Sequence, residues 1–130
     1  MKLPVVMPSN LTYMAESLNK AFPGRAALLL GPSVWANPKD IPFASDNDRF
    51  SCWSKNKIWS KEKFESHLER ILNQSTKPLW IVVPDIVANA QETFKEYRYW
   101  HKPLSRLSIP LALAVQDGMI PRDVTNRFSC

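Results

Sequence analysis

Short apolar runs alternate with segments of helical periodicity along most of the chain. The runs are continuous rather than alternating, which is typical of strands that are buried on both faces of a parallel sheet. They are Leu3–Met7, Ala26–Leu30, Leu79–Val83 and Leu111–Val115. The pattern therefore predicts about four parallel strands.

Helices are predicted between these runs from capping residues and apolar spacing. One spans Leu11–Phe22 after Ser9-Asn10, and a second follows a Ser60 cap. A third starts near Asn89, and we expect Pro103 to break or kink it. A last helix begins at Ile120-Pro121, whereas Gly31 to Trp59 is expected to be a long, irregular and functional loop.

Alternating strands and helices imply parallel strands joined by right-handed crossover helices. At 130 residues the chain has the size of one domain, spanning residues 1–130. No apolar run reaches the length of a membrane helix and no signal peptide is recognisable, so we expect a cytoplasmic protein. Two cysteines without metal-ligand spacing predict neither a metal site nor a cofactor.

The net charge of +5 comes from 17 basic and 12 acidic residues, and part of it is clustered among aromatic residues. Cations can contact phosphates while aromatic rings stack on unpaired bases, so the cluster is a candidate nucleic-acid surface. Its members are Lys55, Lys57, Lys61, Lys63, Trp53 and Trp59. The alternative is a solvated face whose aromatic residues anchor the helices.

Polar side chains stand where strands of the sheet are expected to end. Asp46 precedes Phe50, Asp85 follows Leu79–Val83, and Gln116 follows Leu111–Val115. Loops at the carboxyl ends of parallel strands share one crevice, so we expect these side chains to face one cavity. The structural alternatives are a helix cap for Asp85, a link between two loops for Gln116, and an ion pair of Arg49 with one of the carboxylates beside it, Asp46 or Asp48.

The sequence gives little support for catalysis by a histidine base with a serine or cysteine nucleophile. His67 has no serine or cysteine partner at a recognisable spacing, and we expect it at the surface or at its boundary. Glycine-rich phosphate loops are also absent, since the chain has three glycines.

Three segments together resemble the N-terminal half of the tRNA-guanine transglycosylase superfamily, most closely its phage and bacterial branch that handles deazapurines in DNA. These segments are Ser45-Asp46-Asn47-Asp48-Arg49-Phe50-Ser51, Val82-Val83-Pro84-Asp85 and Ala114-Val115-Gln116-Asp117-Gly118. The resemblance runs from about Pro4 to Asp123 and implies half of a (β/α)8 barrel. It further implies a pentosyltransferase that exchanges guanine for a 7-deazaguanine.

The resemblance assigns Asp46 to the catalytic site beside the reacting sugar, and Asp85 and Gln116 to the edge of the bound base. Three departures accompany it. Asp48 and Arg49 replace small residues and are expected to crowd the pocket, and Ala88-Asn89 replaces the usual Gly-Asp pair after Pro84-Asp85. The family's nucleophilic aspartate and zinc site have no counterpart in this chain.

Two functions follow as expectations. The first is binding of a guanine or 7-deazaguanine base, free or within tRNA or DNA, with catalysis only when a partner chain supplies the nucleophile. The second is a small, non-enzymatic interaction protein, of a kind that phages encode, which binds a protein or a nucleic acid through the basic aromatic surface. Unpaired edges of half a barrel also predict a homodimer or a complex with a second-half chain.

Overall fold

The computed structural model describes residues 5–8 and 12–128. Strands and helices both occur along these residues, but the first two strands follow one another without a helix between them. The strands are β1 (Leu28–Leu30), β2 (Phe43–Ser45), β3 (Ile81–Val82) and β4 (Leu111–Ala112), and the helices are α1 (Thr12–Ala21), α2 (Arg49–Ser54), α3 (Lys61–Leu72), α4 (Ala90–Ser105) and α5 (Pro121–Phe128).

The strands form one four-stranded sheet in the order β1-β2-β3-β4, and every pairing is parallel. Val6 makes a further parallel bridge to Ala26, just before β1. Strands that follow one another in sequence are thus neighbours in the sheet, as successive units of a (β/α)8 barrel are. The predicted α/β fold with four parallel strands is confirmed and is consistent with half of such a barrel.

The core lies between the sheet and helices α3 and α4. Phe43 from β2 and Phe64 from α3 are fully buried, and Trp100 from α4 packs its ring edge-on against Phe64 at 5.2 Å between centroids. Such T-shaped aromatic pairs add stabilisation beyond the area that they bury. Both helices are therefore fixed against the sheet from which the loops of the site project.

Capping residues fix where the helices begin. Ser60 accepts a hydrogen bond from the Lys63 N–H at the start of α3, and Asn89 accepts one from the Glu92 N–H at the start of α4. The Ser60 cap and the predicted start of a helix near Asn89 agree with the sequence prediction. Pro103 does not break α4, because it lies in the last turn and removes one backbone donor close to the helix end. A kink at Pro103 stays a prediction.

The segment expected to be an irregular loop contains a strand and a helix, β2 and α2. All residues of β2 are buried, yet its run of three is too short to show a periodicity. Strands β3 and β4 are shorter than predicted. Of the predicted strand Leu3–Met7, the first residues lie outside the described part of the chain, and Val6 makes an isolated bridge.

The described residues contain neither a candidate membrane-spanning helix nor a candidate metal site. In the described ranges no helix combines the length and the apolar character that a membrane crossing requires. Over the same ranges no three His, Cys, Asp or Glu side chains are placed to hold a metal ion.

Candidate functional site: a carboxylate pocket at the carboxyl edge of the sheet

The loops after β2, β3 and β4 meet at the carboxyl edge of the sheet through a chain of hydrogen bonds. Asp85, which follows β3, stands at its centre. Its Oδ1 accepts from Asn47 Nδ2 at 2.9 Å and its Oδ2 accepts from Gln116 Nε2 at 2.7 Å. Residues 38 and 31 positions away in sequence thus hold one carboxylate between them.

Asn47 ties the loop after β2 to the neighbouring strand. Its side-chain amide also donates to the Val83 carbonyl at 2.9 Å, and its Oδ1 accepts from the Arg49 N–H at 2.8 Å. That N–H is one of the donors at the start of α2 that have no partner within the helix. Asn47 therefore positions both α2 and the Asp85 carboxylate, a role that sequence reasoning missed although the residue belongs to the first motif.

Gln116 links the loops after β3 and β4. Its Oε1 accepts from the Ala88 N–H at 2.8 Å, which fixes the amide orientation and directs Nε2 towards Asp85. The remaining amide hydrogen points to the Ala114 carbonyl at 3.3 Å. Both amide hydrogens and the amide oxygen of Gln116 are thus engaged within the protein, and the side chain orients Asp85. The Asp85 carboxylate is the group that can accept hydrogen bonds from a ligand.

Asp85 retains acceptor capacity although it is only 6% exposed. Each carboxylate oxygen has about two acceptor positions, and each oxygen receives one side-chain donor within the protein. The carboxylate can consequently accept two further N–H groups from a ligand without moving. Hydrogen bonds to an ionised acceptor are among the strong ones.

A cavity of about 400 Å³ opens beside this carboxylate. We call it the Asp85 pocket, and its lining consists of Phe50, Trp53, Asp85, Val87, Ala88, Ala114, Val115, Gln116 and Asp117. Phe50 and Trp53 lie on α2 with ring centroids 5.7 Å apart and are 65% and 57% exposed. Exposed rings beside an anchored carboxylate are suited to a planar ligand that presents N–H groups.

The structure brings Asp85 and Gln116 together in this pocket, whereas Asp46 does not contribute to its lining. Burial raises the pKa of the Asp46 carboxyl above its ordinary value, and the nearby Asp48 and Asp85 charges raise it further. The backbone N–H groups of Asn47 and Asp48 oppose this shift. Asp46 thus lies on the same edge of the sheet, electrostatically coupled to Asp85 but outside the pocket.

Asp48 and Arg49 do not line the pocket that they were expected to crowd, although Arg49 lines an adjoining cavity together with Asp85. Asp48 has a positive φ of 64°, and its carboxylate accepts from the backbone N–H and the hydroxyl of Ser33. Arg49 stacks on the Trp59 ring at 3.8 Å and pairs with Glu96 at 3.0 Å. The alternative of an ion pair between Arg49 and one of the carboxylates beside it, Asp46 or Asp48, is therefore wrong, because Glu96 on α4 provides the partner.

Half of the basic aromatic cluster lies at one cavity. Trp53, Lys57 and Trp59 line a cavity of about 200 Å³ that adjoins the Asp85 pocket, and Trp53 also lines that pocket. Trp59 is partly buried against the core as well and donates its indole N–H to the Asn47 carbonyl at 2.6 Å.

The other lysines of the cluster have separate surroundings. Lys55 donates to the Ser51 hydroxyl at 3.2 Å, and Lys61 donates to the Tyr99 hydroxyl at 2.7 Å, which raises the Lys61 pKa. Lys63 lines a different cleft along α3. The nucleic-acid role of these residues stays a prediction.

His67 is buried, contrary to the position at the surface or at its boundary that was expected for it. It is 3% exposed, and its Nε2 lies 2.9 Å from the Ser45 hydroxyl at the end of β2. Burial lowers the His67 pKa to about 4, so the ring is neutral near pH 7. The spacing between Ser45 and His67 gives no sequence signal, since the pairing depends on how α3 packs over β2.

The fold and site together define a parallel α/β protein with an aromatic carboxylate pocket at the carboxyl ends of its strands. Comparison of the chain with protein-family models, with curated proteins and with solved structures finds no match. The chemistry of the site therefore carries the functional argument.

Proposed function

We propose that this protein binds a guanine or 7-deazaguanine base, free or within a nucleic acid, in the Asp85 pocket. The observation that carries the proposal is the Asp85 carboxylate, held by Asn47 and Gln116 beside exposed aromatic rings. Guanine presents its N1–H and 2-amino donors on one edge, and a carboxylate offers two adjacent acceptors for them. Phe50 and Trp53 supply the apolar surface against which a planar base can stack.

The resemblance to transglycosylases supports a wider role for the same edge of the sheet. Asp46 would then lie next to the reacting sugar, in a cytoplasmic enzyme that exchanges bases. Displacing a base through a covalent sugar intermediate requires a nucleophile, which we assign to a partner chain. The β4 side of the sheet, where Val115 is 65% exposed, is the edge at which a second half or a second copy would dock.

Calorimetric titration of the purified protein with free bases tests the binding proposal. We expect guanine and 7-deazaguanine to bind with similar affinity, because N7 lies on the opposite edge of the base from the donors that Asp85 accepts. Hypoxanthine lacks the 2-amino donor and is expected to bind about tenfold more weakly, the cost of one hydrogen bond to a charged acceptor. Adenine should bind more weakly still, because its N1 is an acceptor facing a carboxylate.

Equal affinities for guanine, hypoxanthine and adenine would contradict the proposal, since they would mean that stacking alone holds the base. Absence of heat with every purine would contradict it as well. Trp53→Ala is the matched variant, because it removes the stacking surface without touching the hydrogen bonds to Asp85. It should weaken all purines together and leave their order unchanged.

A second candidate function is favoured by the exposed apolar side chains on and after α2. Phe50, Trp53 and Ile58 are 65%, 57% and 97% exposed. Lys55 and Lys57 are exposed in the same stretch. Exposed apolar residues with cations around them also suit a non-enzymatic interaction protein that binds a protein or nucleic acid. A protein of this kind would show no selectivity among free purines in the titration above.

A further inference from the structure

The Asp85 pocket is lined by acidic side chains although the chain as a whole has a net charge of +5. Two carboxylates belong to the lining, those of Asp85 and Asp117. None of the described residues that line the pocket is a lysine, an arginine or a histidine. The charge of the pocket is therefore opposite to the charge of the protein.

The two aromatic rings of the pocket have no cation of their own. Elsewhere in the described part of the chain, basic side chains lie over aromatic rings, and Arg49 lies 3.8 Å from the centroid of the Trp59 ring. Among the same residues, none lies over Phe50 or Trp53. The face of an aromatic ring attracts cations, and that of tryptophan does so most strongly. A ligand can therefore supply the cation for these rings.

The basic side chains near the pocket do not pair with its carboxylates. Arg49 pairs with Glu96 at 3.0 Å and, like Lys57, lines the adjoining cavity rather than the Asp85 pocket. Asp85 belongs to both linings, yet among the described residues no basic side chain forms an ion pair with it or with Asp117. The positive charge that balances these carboxylates can therefore come from a ligand.

A further carboxyl group at the same edge of the sheet responds to this charge. The Asp46 pKa is raised, first by burial and then by the charges of Asp48 and Asp85. The carboxyl edge of the sheet thus carries negative charge that its own residues leave unbalanced, and it favours a ligand that brings positive charge.

We propose that the Asp85 pocket prefers a purine ring that carries a positive charge, as guanine does when it is alkylated at N7. This inference rests on the proposed base binding and names the form of the base. Alkylation at N7 withdraws electrons from the ring, so the N1–H and the 2-amino group become stronger donors to the Asp85 carboxylate. The cationic ring also stacks more tightly on Trp53 and Phe50, and it is attracted by Asp117. Guanine and 7-deazaguanine remain equivalent, because both are neutral.

Calorimetric titration at about pH 6 with two ligands of the same shape tests this preference. The 7,9-dimethylguaninium ion carries the positive charge, and 7,9-dimethyl-7-deazaguanine is its neutral isostere. Both ligands keep the N1–H and the 2-amino group, and the methyl group at position 9 stands in place of a sugar. We expect the cation to bind about tenfold more tightly than the isostere.

Two variants test the source of the preference. Trp53→Leu keeps an apolar side chain but removes the ring face, and Asp117→Asn removes one charge at nearly constant shape. Each should reduce the tenfold preference to about threefold or less. Asp40→Asn is the matched control, because it removes a charge from an exposed position before β2, and it should leave the preference unchanged.

Equal affinity for the cation and its isostere would overturn the inference and leave the proposed base binding intact. Binding of guanine without binding of the cation would do the same. If neither methylated ligand nor guanine bound, the proposed function would fall together with the inference. A preference that persisted unchanged in both Trp53→Leu and Asp117→Asn would also overturn the inference, since the charge would then be recognised outside the Asp85 pocket.

Discussion

Replacing Phe64 with alanine is expected to lower the free energy of unfolding by about 3–5 kcal/mol. The ring is fully buried in α3 and packs at 5.2 Å against Trp100 and at 5.7 Å against Trp59, measured between centroids. Its removal leaves a cavity between α3, α4 and the sheet and ends both aromatic contacts. Since domains of this size have a total stability of about 5–15 kcal/mol, the loss is a large fraction of the whole.

Urea unfolding monitored by circular dichroism measures this effect, and Phe50→Ala is the matched control. The same atoms are removed there from a ring that is 65% exposed, so we expect a change of about 0.5 kcal/mol or less. A Phe64→Ala variant as stable as Phe50→Ala would mean that α3 and α4 do not pack on the sheet as described.

Asp85→Asn is expected to weaken guanine binding by about 10–100-fold, the cost of losing a charged acceptor that takes ligand donors. Asn47 and Gln116 donate to different oxygens of the Asp85 carboxylate, and asparagine replaces one of these oxygens by an NH2 group. One of the two donors then faces another donor. We therefore expect a loss of stability of about 1–3 kcal/mol in addition.

Thermal unfolding first shows that the variant is native at the temperature of the titration. Calorimetry then measures the guanine affinity of the folded molecules, which separates the loss of affinity from the loss of stability. Asp40→Asn is the matched control, since it removes the same charge from an exposed position before β2, at the opposite edge of the sheet. Guanine affinity equal in Asp85→Asn, Asp40→Asn and wild type would show that Asp85 does not contact the base.

The convergence of Asp85 and Gln116 was predictable from sequence because it depends on topology. Both residues follow apolar runs, and parallel strands bring their carboxyl ends to one edge wherever the exact boundaries fall. The Ser60 cap of α3 and the start of α4 near Asn89 were predictable for a different reason, since the signal for a helix start is local.

Features that depend on packing between distant segments were not predictable. Strand β2 is recognisable by its pairing with β1 and β3, not by its three residues. The sequence places Trp59 among lysines and suggests an exposed aromatic residue. In the structure its indole N–H donates to the Asn47 carbonyl and Arg49 stacks on its ring, so Trp59 is partly buried. His67 is buried because α3 lies over Ser45, a contact that no spacing in the sequence encodes.

The position of a bound base tests the central claim most directly. A crystal structure of the protein soaked or co-crystallised with 7-deazaguanine should place the ring against Trp53 or Phe50. Its N1–H and 2-amino nitrogen should lie within hydrogen-bonding distance, about 2.7–3.2 Å, of the Asp85 carboxylate oxygens. A base bound outside the Asp85 pocket, or bound inside it with its acceptor edge towards Asp85, would contradict the claim.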